Sequence, residues 1–189
     1  VAYNSNGANG GGIFIKGVPY APDPDIVNTT ASLKHVTVVY NDCEGTKGEG
    51  ISFWGNPQFN IFNSIVSLNG DQQGSNTDMN FSKSNTQNAV NNIFGNTYYG
   101  QAVINNQSNK QDKYAEALAL GEDLTNQGGQ TQVLATGPES IVIDSATTEY
   151  SNAFDARGYS RQQDSGPDVG AYEFRQPTAM TVIATTDKI

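Results

Sequence analysis

The densest group of chemically capable side chains lies in "DARGYSRQQDSGPDVGAYEF", residues 155–174. Asp155, Arg157, Arg161, Asp164, Asp168 and Glu173 fall inside it, with Asp144 shortly before and Gly158, Gly166 and Gly170 interspersed. Two chemistries suit such a set. Paired arginines beside acids stabilise a substrate carboxylate and its enolate, as a polysaccharide lyase requires. The same groups also close a fold: a guanidinium spreads planar donors over carboxylates and free carbonyls, and Asp side chains accept from backbone N–H groups at turns. Gly158 and Gly170 allow tight corners, and "VGAYEF" returns a strand that lays Val169, Ala171 and Tyr172 over the end of a stack. The set Asp144, Asp155, Arg157, Gly158, Arg161, Asp168, Gly170 and Glu173 therefore reads as a structural cap, and no catalytic residue is assigned.

Other candidates are weaker. Asp23 and Asp25 in "APDPDIVN" offer oxygen ligands to calcium, although a Pro-stiffened loop explains them as well; no other cofactor is expected. His35 reads as a surface or packing residue rather than a base. Trp54, Phe59, Phe62, Tyr98 and Tyr99 offer a sugar-stacking platform, with about half of them expected in the core. No Gly-rich phosphate loop, zinc spacing or Ser/His/Asp arrangement is visible.

These residues must be positioned by a chain of 189 residues, long enough for one domain with a substantial core. Charged residues make up only 15% and there are 20 glycines, which suits an all-β fold with many corners. The formal charge of −9 argues against nucleic acid and anionic membrane surfaces as partners. No apolar run is long enough to span a bilayer, so membrane insertion is not expected. Cys43 is the only cysteine, which excludes an intrachain disulfide and a thiolate metal site. The opening residues are already mid-pattern, as in a processed or excised piece of a longer precursor.

The pattern is a repeat. "LKHVTVVYN" (33–41), "IFNSIVSLN" (61–69) and "AVNNIFGN" (89–96) are short β-rich runs ending in Asn41, Asn69 and Asn96, spaced 28 and 27 residues apart. "GGGIFIKG" (10–17) and "GEGISFWG" (48–55) precede the first two. A period of this size with Gly and Asn corners predicts a β-solenoid whose coils stack at ~4.8 Å; a β-sandwich competes but needs no repeat. Ile13, Ile15, Val36, Val38, Ile51, Phe53, Ile61, Ile65, Leu68, Val90 and Ile93 are expected to point inward. The three asparagines are expected in left-handed conformation at one corner, forming a hydrogen-bonded Asn ladder. Residues 70–88 read as a protruding loop plus one weak strand, and 110–124 as the one place for a helical turn.

"LTNQGGQTQVLATGPESIVIDSA" (124–146) and "FDARGYSRQQDSGPDVGAYEF" (154–174) resemble the closing segment of a secreted bacterial right-handed β-helix family. These are the choice-of-anchor Q proteins, related to the polymorphic outer-membrane repeat proteins. Gly128, Gly129 and Thr131, then Leu134, then Pro138, Ser140, Ile143 and Asp144 carry the first three motif blocks. Asp155, Arg157, Gly158 and Arg161, then Asp168 to Glu173, carry the last two. Gln127, Gln130 and Val142 depart from the family pattern. The resemblance implies an all-β, right-handed parallel β-helix on the bacterial surface or outside the cell, attached through varied C-terminal anchors. It divides the chain into coils (1–123), a last coil with its cap (124–174) and an extension strand or linker (175–189). The expected function is a non-catalytic surface, adhesive or structural module. Its expected partners are another copy of itself, joined head-to-tail into a filament, another surface protein, or carbohydrate. The alternative is a polysaccharide lyase or glycoside hydrolase on the same fold. In the extension, Thr181, Val182 and Ile183 form a β-prone, uncharged run suited to an assembly strand.

Overall fold

The structure, a computed structural model, describes residues 1–6, 10–17, 29–44, 48–55, 57–70, 77–80, 85–98, 108–111, 115–161 and 165–176. Asp23, Asp25, Asp164, Thr181, Val182 and Ile183 lie outside the described residues. The fold is all-β, with strands in parallel sheets and very little helix.

The chain makes successive passes, each giving short strands to three sheets. One sheet orders β12 (Thr97–Tyr98), β9 (Met79–Asn80), β6 (Ile51–Trp54) and β2 (Ile13–Lys16). The second orders β10 (Asn85–Val90), β7 (Gln58–Phe62) and β3 (Thr30–Lys34). The third orders β13 (Lys110–Gln111), β11 (Ile93–Phe94), β8 (Ile65–Val66) and β4 (Thr37–Val38). A short parallel pair, β1 (Ser5–Asn6) with β5 (Asp42–Cys43), lies beside them. Register follows the repeat: Thr37 pairs with Ile65, Ile65 with Ile93, and Ile93 with Lys110. Each pass thus carries three strands where the repeat suggested two, because "LKHVTVVYN" and its equivalents break at a corner. Residues 70–88 likewise hold β9 and the start of β10 rather than one weak strand.

The corners explain the period. His35, Asn63, Asn91 and Ser108 all have positive φ, near +50° to +64°, and so do Tyr3, Tyr40 and Leu68 at a second corner. Non-glycine residues resist this conformation, so something must hold it. Ladders of side-chain oxygens beside the corners do so, most of them supplied by the residue that follows a corner; Val36, after His35, takes part through its N–H alone. At the second corner Asn4 N–H donates to Asn41 Oδ1 (3.2 Å), and Asn41 N–H and Nδ2 donate to Asn69 Oδ1 (3.1 and 2.8 Å). Asn41 and Asn69 are therefore stacked rungs, but the left-handed residue is the one before each asparagine. Asn96 is not the third rung. Asp78 takes that place, accepting from Asn69 N–H and Nδ2 through Oδ1 (2.7 and 2.9 Å) and from Asn96 N–H through Oδ2 (2.6 Å). The reason is topological. Thr97 pairs directly with Met79, so Asn96 lines up with Asp78 and not with Asn69. Gly50 is required beside this ladder, because a Cβ there would meet Asn69 Nδ2 at 2.6 Å.

The first corner has its own ladder, which the sequence reading missed. Val36 N–H donates to Ser64 Oγ (3.2 Å), Ser64 N–H to Asn92 Oδ1 (2.9 Å), and Asn92 N–H to Asn109 Oδ1 (3.0 Å). The first two of these span 28 residues each.

Between the three sheets lies a core of Ile15, Val38, Ile51, Phe53, Phe59, Ile61, Val66, Met79, Ala89 and Phe94, with Ile13 and Val36 partly buried against it. Ile65, Leu68 and Ile93, expected inside, belong to a second cluster with Val39, Leu118, Leu134, Val142 and Val169. Adjacent residues of a strand face opposite ways. Val66 and Phe94 therefore face the core while Ile65 and Ile93 face out of the third sheet, into the C-terminal segment. Val90 is only half-buried. Helix α1 (Ala115–Leu118), in the segment where a helical turn was expected, places Leu118 in this second cluster.

Asn69 is buried and its amide also donates to Val38 O and Ser67 O (2.9 and 3.0 Å). Asn69→Ala strands the Asn41 amide and those carbonyls, and should lower stability by about 3 kcal/mol. Urea denaturation reads this, and a loss below about 1 kcal/mol would remove the ladder from the account.

Candidate functional site

Acids, arginines and glycines of the 144–173 cluster are brought together, but not at the end of the stack. The segment from α1 onward lies along the outer face of the third sheet and reaches several passes at once. Gly170 N–H donates to Asn63 O (2.8 Å) and Ala171 N–H to Thr37 Oγ1 (3.0 Å). Val169 packs with Ile65, Ile93 and Val142. The expectation that Val169, Ala171 and Tyr172 cover the end of the stack is corrected accordingly. A face that presents Val39, Ile65 and Ile93 cannot stay in water, and these residues cover it.

Corner residues from three passes form the polar half of this contact. His35 Nδ1 pairs with Asp168 O (3.0 Å) and its Nε2 with Ser151 Oγ (3.0 Å). Asn63 donates from Nδ2 to Thr147 O (2.9 Å) and accepts from Thr147 N–H (3.0 Å), while Asn91 Nδ2 donates to Ser145 O (3.4 Å). His35 is thus a buried docking residue, only 4% exposed. Its carbonyl partner makes Nδ1 the protonated nitrogen, leaving Nε2 to accept from Asn63 Nδ2 (3.2 Å). Burial, helped by the Arg161 guanidinium and Lys34, pushes its pKa down to about 3. A neutral imidazole so resistant to protonation is a poor general base at neutral pH.

Within the cluster, Asp155 Oδ1 accepts from Arg157 N–H and Tyr159 N–H (2.8 and 3.0 Å). Its Oδ2 accepts from Arg157 Nε and Glu173 N–H (2.8 and 3.2 Å). Burial would raise the Asp155 pKa, but Arg157 and these N–H groups outweigh it and hold the carboxyl below its usual range. Arg157 also donates to Glu173 O (2.6 Å) and Gln127 O (3.1 Å) and lies over the Tyr172 ring at 3.9 Å. Arg161, 2% exposed, donates to Phe154 O, Asp168 O, Gly170 O and Glu173 Oε2. Asp168 accepts from Asp144 N–H (2.8 Å) and Phe174 N–H (2.5 Å), and Asp144 caps the turn at Ser165 and Gly166 (3.1 and 2.9 Å). Gly170 sits at φ +99°, where a Cβ would meet Ile65 Cδ1 and Thr37 Oγ1 at 2.8 Å. Gly158 also has positive φ, +90°, at the turn closed by Gly158 N–H to Asp155 O (3.0 Å). Burial pushes the Glu173 carboxyl up to about 7, against the Asp168 N–H it accepts from and the Arg161 guanidinium, with the Asp168 and Asp155 charges adding.

The aromatic platform separates. Phe59 is in the core, Phe62 is buried and stacks on Tyr150 at 4.2 Å, and Trp54 is 45% exposed beneath Lys16 Nζ at 5.1 Å. The side chains of Tyr98 and Tyr99 lie outside the described residues. Among the described residues, no group of three His, Cys, Asp or Glu side chains is placed to hold a metal ion. No helix there is long and apolar enough to cross a membrane. No family model, curated protein or solved structure matches this chain.

His35 and Glu173 predict opposite pH behaviour. His35 is depressed from 6.5 to about 3, so the native state holds fewer protons and loses stability as pH falls below 6.5. Glu173 is raised from 4.5 to about 7, so its stabilising contribution is full below 4.5 and fades as pH rises through 7. Between those ordinary values the two offset. Glu173→Gln should therefore expose the His35 slope, losing stability relative to the parent as pH falls from 7 to 4.5 by up to about 1.4 kcal/mol per unit. His35→Asn, which places at this corner the residue found at 63 and 91, should gain stability relative to the parent as pH falls from 6.5 towards 3. Parallel stability–pH curves for parent and both variants would contradict the assignment.

Proposed function

We propose that the protein is a non-catalytic module displayed on a bacterial surface or outside the cell, built as a right-handed parallel β-helix and serving adhesion or structure. The observation that carries this reading is the state of the 144–173 cluster. Both oxygens of Asp155 and of Asp168 accept backbone N–H groups, and both guanidinium groups are bound to carbonyls and carboxylates. The groups that suggested lyase chemistry are thereby engaged in holding the chain. Parallel strands of one sheet are joined by right-handed connections in almost all proteins, which supports the handedness. The motif blocks that resemble the choice-of-anchor Q proteins support the surface setting. Incubating the protein with a panel of neutral and uronate polysaccharides should release no new reducing ends or unsaturated products. Release that disappears in Asp155→Asn would overturn the reading in favour of a carbohydrate-active enzyme.

Self-association belongs to the same proposal. Among the described strands β2 and β3 are edge strands at one end of their sheets, and β12 and β10 at the other. Such edges accept further strands, and head-to-tail pairing through the 178–189 run would propagate a filament rather than close a dimer. Deleting residues 178–189 should reduce particle size in light scattering. An unchanged size would leave that segment as a linker.

A further inference from the structure

The flank segment carries an open cavity of about 360 Å³. Its wall includes Thr148, Ser151, Asn152, Phe154, Ser160 and Arg161. We propose that this cavity is a binding site for a neutral saccharide, which rests on the non-catalytic reading above and gives it a ligand class.

The wall chemistry is the first reason. The Thr148 hydroxyl and the Asn152 carboxamide supply donors and acceptors together, which is what sugar hydroxyls require. Among the described wall residues the one ion is Arg161, and its guanidinium is already bound to Phe154 O, Asp168 O, Gly170 O and Glu173 Oε2. An anionic ligand would find that charge in use; a neutral polyol would not need it. Phe154 is the second reason. It is 61% exposed, the most exposed large hydrophobic side chain described. An aromatic face beside hydrogen-bonding groups suits the apolar C–H face of a pyranose, as an amphipathic site should.

Rigidity is the third reason. The rim strand is fixed by the Phe154–Ser160 bridge and by Arg161 N–H to Ala153 O (3.1 Å). Ser151 is held by donating to Thr147 O (2.9 Å) and accepting from Asn63 Nδ2 (3.4 Å), with His35 Nε2 beside it at 3.0 Å. A preformed site loses little conformational entropy on binding. Ser151 beside His35 outwardly resembles a nucleophile with its base. His35 Nδ1 is bound to Asp168 O, its Nε2 accepts from Asn63 Nδ2, and the Ser151 proton goes to Thr147 O, so the pair is scaffolding.

The test is an NMR titration of the full chain with cellotriose, N-acetylglucosamine and galactose, with glucuronate and acetate as charged probes. At least one neutral sugar should give saturable shifts centred on residues 148–154, 160 and 161. Phe154→Ala should weaken it about tenfold and Asn152→Ala measurably, both at unchanged thermal stability because both side chains are exposed. Trp54→Ala should leave affinity unchanged, since that ring lies on another sheet. The proposal is overturned if no neutral sugar saturates, if Phe154→Ala binds like the parent, or if only the charged probes bind. These readouts are independent of product release, so failure here does not count against the non-catalytic reading.

Discussion

The structure depends on one constraint: a chain that returns every 28 residues must turn at residues forced into left-handed backbone. Tyr40 and Leu68 at one corner, and His35, Asn63 and Asn91 at the other, adopt that conformation without being glycine. The strain is met by ladders beside these corners, in which a side-chain oxygen of one pass accepts the N–H of the pass before. Asn41, Asn69 and Asp78 do this at one corner, and Ser64, Asn92 and Asn109 at the other. With both corners held, the short strands between them fall into register and the apolar core closes.

The same corners determine what lies outside. A left-handed residue turns its side chain away from the strand it ends. His35, Asn63 and Asn91 therefore present polar groups along the edge of the third sheet, where they engage Asp168, Ser151, Thr147 and Ser145. Ile65 and Ile93 supply the apolar half of the contact. The C-terminal segment is thus fastened sideways across several passes. The buried Arg161, Glu173 and Asp168 hold residues 168–174, which form no strand although one was expected in "VGAYEF", at an electrostatic cost visible in the raised carboxyl pKa of Glu173 and the lowered pKa of Arg161.

Much of this was legible in the sequence, and the rest was hidden for identifiable reasons. The spacing of Asn41 and Asn69 gave their ladder directly. Asn96 misled because the third pass drops a loop and shifts the register, leaving Asp78 as the rung. The other ladder escaped notice because Val36, Ser64 and Asn92 share a position but not a residue type. Ile65 and Ile93 were placed inside because a strand covered on both faces loses its alternation. His35 was legible only as a surface or packing residue rather than a base, and its docking role was hidden because its partner lies 133 residues away. The acid and arginine cluster was correctly gathered by sequence, yet its position on the flank required the fold. The polar cavity beside Phe154 left no motif, because its wall comes from a turn and a bridge with no characteristic spacing.

The central claim is that the C-terminal segment and the stacked passes form one cooperative unit. Native-state hydrogen exchange tests it most directly. The amides of Val169 and Gly170 donate to Val142 O and Asn63 O, and the amide of Ile65 donates to Val36 O inside the stack. If the segment is integral, all three should open with the same free energy and the same denaturant dependence. Exchange of Val169 and Gly170 through a low-energy opening, with Ile65 still protected, would contradict the account and reduce the segment to an accessory on an independently stable stack.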